Sequence, residues 1–335
     1  MQLKDFRQQI ELETLAPFYV VTGEEPALLQ EVRRLFVELV PRDAREMNLG
    51  QYDLAQTTMK IALEEAMSLP FFGDRKVVLL SNPTFVTTTG KLTDAEQQAW
   101  LDILTQGTPS TIVVFFLNDA KIDKRKKIGK VLLDAAQIID LPLLDERQAR
   151  QAIQQTLEKR HFDITKKALD EFVKRTNASY STMRQELPKL MAYAQVTQAI
   201  DEVAVTELVA KTLNESVFDM VDAVLRRQTQ TALRIYHELL SMGEAPIRIN
   251  AALLGQMRLL LQVAGLRGSD AEVGQQLKVH PYRVKLARET LRHYQPRDLR
   301  DGYLGVLAID IQLKSTNRDP ALLFETFVLN FVHAG

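Results

Sequence analysis

Residues 18–31 read FYVVTGEEPALLQE. Phe18 to Val21 is the pattern of a short buried strand, and Gly23 follows almost at once. Beyond it Leu28, Leu29, Val32, Leu35 and Phe36 recur at helical spacing. Strand, glycine, helix is also how a phosphate loop begins, so the residues between them matter. Such a loop needs G-x-x-x-x-G-K-[ST]: glycines let backbone N–H groups wrap phosphate, the lysine brings charge, and the hydroxyl binds magnesium. Here Gly23 is present, but the second glycine, the lysine and the hydroxyl are absent. Glu24 and Glu25 stand where a triphosphate would sit. Like charges ~4 Å apart cost on the order of 4 kcal/mol near a protein surface. After Val77-Val78-Leu79-Leu80, where a nucleotide hydrolase of this kind places acids, the chain has Ser81 and Asn82. Two readings remain: a fold that never held nucleotide, or a phosphate-loop fold without its chemistry. No cofactor is expected from either.

Working outward, Val77–Leu80, Ile112–Leu117 (IVVFFL) and Ile138-Ile139 are further strand signals, the second an unbroken apolar run suited to a central parallel strand. A helix fits over Thr93–Leu104, with Thr93 as cap and Glu96 three residues on. This alternation predicts a doubly wound α/β domain over residues 1–140. After Pro142 the strand signals stop. Asp145 with Gln148 reads as a helix start. Helices are expected over Thr165–Arg175 and Ser181–Ala194, with Pro188 kinking or splitting the second. Residues 141–211 thus read as a small helical domain. From 212 to 335 all is helical. The apolar stripes are Val217, Phe218, Val221, Val224 and Leu225; Ile249, Leu253, Met257, Leu260 and Leu261; Leu304, Leu307, Ala308 and Ile311; and Leu323, Phe324, Phe327, Val328 and Phe331.

A chain of 335 residues with 14 Gly and 12 Pro suits several helix-rich domains without low-complexity linkers. No Cys is present, which excludes disulfides and thiolate metal sites and favours a reducing compartment. The N-terminal MQLKDFRQQI lacks the apolar core of a signal peptide, and no run reaches the ~18 apolar residues of a membrane span. A cytoplasmic protein is expected. The net charge of −1 is not that of a dedicated DNA-binding domain, so contact with nucleic acid would rest on local patches. The five His residues are scattered, and neither H-E-x-x-H nor G-x-S-x-G occurs, so no catalytic constellation is expected.

Residues 59–76 read MKIALEEAMSLPFFGDRK. Met59, Ala62, Leu63, Ala66 and Met67 mark a helix face that should end near Ser68, because Pro70 disfavours helix at Leu69. Leu69, Phe71 and Phe72 then crowd a turn closed by Gly73 and Asp74. Either they cap the α/β core beside Val77, or they project as an apolar plug for a partner.

These segments, taken in order, resemble the delta subunit of the bacterial DNA polymerase III clamp loader. FYVVTGEEPALLQE is similar to that family's strand–Gly-acid–helix opening, and AMSLPFFGDRKVVLL resembles its clamp-binding element. VFDMVDAVL, LLSMGEAPIRINAALLGQMRLLLQV, LKVHPYRVKLA and DIQLKSTNRDPALLFE resemble its C-terminal domain. The resemblance covers essentially the whole chain. It implies an AAA+-like α/β domain, a helical lid and a helical collar for assembly with the other loader subunits. It also implies that Met67, Leu69 and Phe71, extended by Phe72, form the wedge that enters the pocket of the sliding clamp (beta). Pro70 interrupts the tighter Ser-Leu-Phe form of some members and leaves the register of Phe71 against Phe72 open. ATP hydrolysis would belong to neighbouring subunits.

Two basic features remain. Residues 121–130 (KIDKRKKIGK) hold six basic residues against Asp123, and Lys124, Arg125, Lys126 and Lys127 are candidate contacts to primer–template DNA, or else a solvated charge run. Residues 269–294 resemble a helix-turn-helix, with the turn at Val279-His280-Pro281 and Arg283, Lys285, Arg288 and Arg292 as candidate phosphate contacts. A sequence-specific DNA-binding regulator is therefore the competing reading; within the family resemblance this is a collar helix pair.

Overall fold

The computed structural model describes residues 1–71 and 73–333. The chain divides into two compact units, Met1–Leu143 and Leu144–Gly335.

The first unit runs α1 (Leu3–Glu11), β1 (Phe18–Gly23), α2 (Pro26–Glu38), α3 (Arg45–Asn48), β2 (Leu49–Asp53), α4 (Met59–Met67), β3 (Lys76–Ser81), α5 (Asp94–Gln106), β4 (Thr111–Asn118), α6 (Lys127–Ala135) and β5 (Gln137–Leu141). Its five strands are all parallel, in the order β2-β3-β4-β1-β5. Strand periodicity sends Tyr19 and Val21 to one face and Phe18 and Val20 to the other. On the first face they meet Phe6 of α1 and Val32 and Phe36 of α2. The Phe6, Tyr19 and Phe36 rings lie 4.5–5.4 Å apart. On the second face Val78, Leu80, Val113 and Phe115 pack with Ala62 and Ala66 of α4, Trp100 of α5 and Leu132 of α6. Both faces are covered, which is why β4 reads as an uninterrupted apolar run.

The second unit contains α7 (Glu146–Glu158), β6 (Asp163–Ile164), α8 (Lys166–Arg175), α9 (Tyr180–Tyr193), β7 (Ala199–Ile200), α10 (Glu202–Leu208), α11 (Leu213–Leu225), α12 (Thr229–Ser241), α13 (Pro246–Gly265), α14 (Asp270–Leu277), α15 (Pro281–Leu291), α16 (Pro296–Ser315) and α17 (Pro320–His333). One apolar core is shared by α11 to α17. Tyr236 and Phe324 stack within it at 4.3 Å.

Several local expectations meet corrections. The strand signal does not end at Pro142: β6 and β7 form a short parallel pair. Pro188 does not split its helix, because α9 runs through it. The stripe expected on α16 is rotated. Its buried residues are Leu299, Gly302, Val306 and Ile309, whereas Leu304, Ala308 and Ile311 are exposed. Gly302 sits with Met257 against its Cα, so close helix approach, not side-chain bulk, selects the inward face.

Candidate functional site

Helix α4 lays Ala62 and Ala66, its smallest residues, against the sheet. It stops at Met67 because Pro70 forces Leu69 out of the helical region, and Ser68 is already extended (φ −74°, ψ 146°). From there the chain leaves the surface. Met67 is 65% exposed, Leu69 69% and Phe71 67%. Gly73 turns back with φ +71°. The expected core cap beside Val77 is thus not formed by Leu69 or Phe71; Phe72 lies outside the described residues.

This apolar hook is tied down by polar groups that are themselves buried. The Phe71 N–H donates to Asn48 Oδ1 (2.7 Å). Thr111 Oγ1 donates to the Ser68 carbonyl (2.7 Å). Lys76 Nζ donates to Ser68 Oγ (2.5 Å) and pairs with Glu65 at 2.8 Å. Asn48, Lys76 and Thr111 are all buried. A buried ammonium is tolerated only when paired, and removing a partner from such a pair costs about 3–5 kcal/mol. Two straps start from the first residues of β3 and β4 and the third from the last residue of α3, just before β2, so the edge of the sheet holds the hook in place. Sequence reasoning missed these residues. The one available signal was a lysine opening the fully buried strand KVVLLS; Asn48 carries none.

At the β1–α2 turn the backbone is closed on itself. The Glu24 and Glu25 N–H groups both donate to the Leu141 carbonyl of β5 (3.1 and 3.2 Å). A Cβ at Gly23 would lie 2.1 Å from that oxygen, and φ there is +135°. The glycine therefore serves strand contact. Pro26 opens α2 and supplies no N–H. A cleft of about 560 Å³ remains, lined in part by Glu24, Arg33, Phe116 and Asp119. Inside it Arg33 donates to Ser81 Oγ (2.8 Å), and its guanidinium lies 4.1 Å from the Phe116 ring centre. Burial pulls the Arg33 pKa down. The amides that would wrap a phosphate are used up, and the rim carries carboxylates.

The basic segment splits in two. Lys126 Nζ donates to the carbonyls of Phe85 (3.2 Å) and Gly90 (2.5 Å), fastening the 84–90 loop. The Arg125 guanidinium donates twice to Asp123, both at 2.9 Å, and its backbone N–H once (3.0 Å), which holds that carboxyl down at about 2. Lys124, Arg125 and Lys127 are exposed at the surface.

Helices α14 and α15 form the expected pair, with Lys278 left-handed at the turn. Three of the four candidate cations are engaged within the chain, however, while Arg292 is exposed. Arg283 donates to Gln256 (3.1 Å), Lys285 pairs with Glu146 (2.8 Å), and Arg288 pairs with Asp270 (2.5 Å) and donates to the Gly268 carbonyl (2.7 Å). His280 Nδ1 accepts from the Tyr282 N–H (3.2 Å), so its Nε2–H donates to the Leu144 carbonyl (2.9 Å). A helix-turn-helix reader needs those side chains free for phosphate and base edges. Beside this pair lies a cavity of about 280 Å³ lined in part by Glu215, Tyr282 and Lys285. The Tyr282 hydroxyl is pushed up to about 12 by burial.

Residues 19–141 match the family model of the DNA polymerase III delta subunit, and residues 214–331 match the model of its C-terminal domain. The chain belongs to the DNA polymerase III delta subunit family. The DNA polymerase III subunit delta of Bacillus subtilis is 29% identical over 322 residues, covering 94% of this chain and 93% of that one. A probable delta subunit of Aquifex aeolicus is 22% identical over 226 residues, 64% of each chain. The solved Bacillus subtilis DNA clamp loader delta protein superposes with a TM-score of 0.74 at 28% identity, over 98% of this chain and 99% of that one. The fold is accordingly that of the solved clamp loader delta protein, with a parallel sheet followed by a mostly helical part. Among the described residues no helix is long and apolar enough to cross a membrane.

Proposed function

We propose that this delta-family chain grips the sliding clamp through Met67, Leu69 and Phe71, with Phe72 extending the wedge, and favours an opened ring for loading onto primed DNA. The observation that carries the reading is a set of large apolar side chains about two-thirds exposed on a segment strapped by hydrogen bonds from buried residues. Burying a Leu or a Phe is worth about 1.5–3 kcal/mol, and a pre-ordered segment loses little entropy on docking. Ring opening follows if the hook binds the opened conformation more tightly than the closed one. The chain itself would neither bind nor hydrolyse ATP. Residues 141–211 serve as the lid and 212–335 as the collar that meets other loader subunits; the exposed Leu304–Ala308–Ile311 face of α16 is a surface for that packing. Lys124 and Lys127 are exposed and could approach primer–template DNA, whereas Arg125 is paired with Asp123 and Lys126 is engaged with the 84–90 loop. The pairing of Arg283, Lys285 and Arg288 within the chain speaks against the regulator reading.

The test is Leu69→Ala with Phe71→Ala, read by clamp affinity and thermal melting on one sample. Projecting residues predict unchanged melting and affinity lower by roughly 30- to 1,000-fold, a loss of about 2–4 kcal/mol. Normal clamp binding by the double variant would end the reading.

A further inference from the structure

The hook has a recess behind it. The last two turns of α5 face the end of α4 and leave a groove of about 270 Å³ between them. Met67 and Leu69 form one wall, Ala99 and Ile103 the floor and far wall, and Asp102 and Gln106 stand at the rim. Positions 99, 102, 103 and 106 share one helix face. The groove is below the ~300 Å³ at which small-molecule sites begin, so its size suits a side chain better than a metabolite.

Its chemistry is two-sided. The interior is apolar apart from threonines that are already committed: Thr108 Oγ1 donates to the Thr111 carbonyl (2.5 Å) and Thr111 Oγ1 to Ser68 (2.7 Å). The rim is negative. Asp102 is exposed and accepts from Gln98 Nε2 (2.7 Å), a neutral donor. The groove also lies at the C-terminal end of α5, where the helix dipole is negative and no basic residue fills the last turn. A knob that is apolar at its tip and flanked by a lysine or arginine fits both features.

We propose that this groove is a second contact for the same clamp surface that receives the hook, taking an apolar side chain carried beside a basic residue. The inference rests on the clamp-binding reading of the hook. Met67 and Leu69 belong to both surfaces, so a partner that closes over them necessarily lies above the groove. The contact is then reciprocal, one protein inserting a wedge and receiving a knob at its base. That fixes the rotational register of the docking, which a wedge alone leaves loose.

The experiment uses the full chain and purified clamp, measuring association and dissociation rates at several salt concentrations for the wild type, Ala99→Leu, Asp102→Lys and the hook double variant. Ala99→Leu fills the groove and is expected to weaken binding about tenfold through faster dissociation. Asp102→Lys is expected to slow association about tenfold and to flatten its salt dependence, the signature of a rim charge. Neither changes melting. If Ala99→Leu lowers the melting temperature, Asp102→Lys, on the exposed rim, decides alone. Wild-type rates and salt dependence for Asp102→Lys, with the hook double variant failing to bind, overturn the groove and leave the hook. Normal binding by the hook double variant overturns both.

Discussion

Glu215 occupies the third position of α11, its N–H on the Thr212 hydroxyl (3.2 Å), yet its carboxyl does not reach back to close a capping box. The residue is 3% exposed and neither side-chain oxygen has a hydrogen-bond partner. Burial pushes its pKa up to about 7; Lys211, Lys174 and Arg175 pull it down, and Asp219 pushes it up. A carboxyl raised in the folded state binds protons that the unfolded chain has released. Its cost is therefore absent below the unfolded value near pH 4.5, grows through the window from 4.5 to 7, and is complete above it. Each pKa unit is about 1.4 kcal/mol, which makes the full cost about 3 kcal/mol. Glu215→Gln should melt several degrees higher than the wild type at pH 8 and match it at pH 4.5. Equal melting curves at both pH values would show that the carboxyl finds a partner in solution.

At the scale of elements, the β1–α2 turn carries the sharpest expectation. Its amides are bonded to Leu141 and its rim holds Glu24 and Asp119. Equilibrium dialysis with labelled ATP and magnesium should find no micromolar site on the isolated chain, and a magnesium-dependent one would show that the turn opens. The missing lysine and hydroxyl were legible in FYVVTGEEPALLQE, but the Leu141 carbonyl was not, because it arrives from a strand more than a hundred residues away. The same contrast holds for the sheet. β1, β3, β4 and β5 announce themselves because they pair on both sides or pack on both faces. β2 is an edge strand, LGQYD, with too few apolar residues to be read. On the hook, Pro70 and the crowding of Leu69, Phe71 and Phe72 marked the segment but left capping and projection both open. Asn48, Lys76 and Thr111 were not legible, since a strap is a tertiary relation with no local period. Helix α16 misled because its exposed Leu304–Ala308–Ile311 stripe is as regular as its buried one, and periodicity does not say which stripe faces inward.

For the whole molecule, the hook, its straps and its groove all lie within Met1–Leu143, whereas the seven-helix core lies within Leu144–Gly335. Split at residue 143, the first fragment should retain the clamp in a pull-down and the second should retain the other loader subunits, each checked for folding by circular dichroism. Clamp retention by the second fragment alone would show that the division of labour is wrong. The closed turn at Gly23 has one more consequence. In a loop that changes shape with its ligand, the ligand keeps time; a loop whose amides are held by its own sheet has no second position. On the proposed reading, in which this turn holds no ATP, the chain carries no clock of its own, and the timing of any meeting between Leu69, Phe71 and the clamp is set outside it.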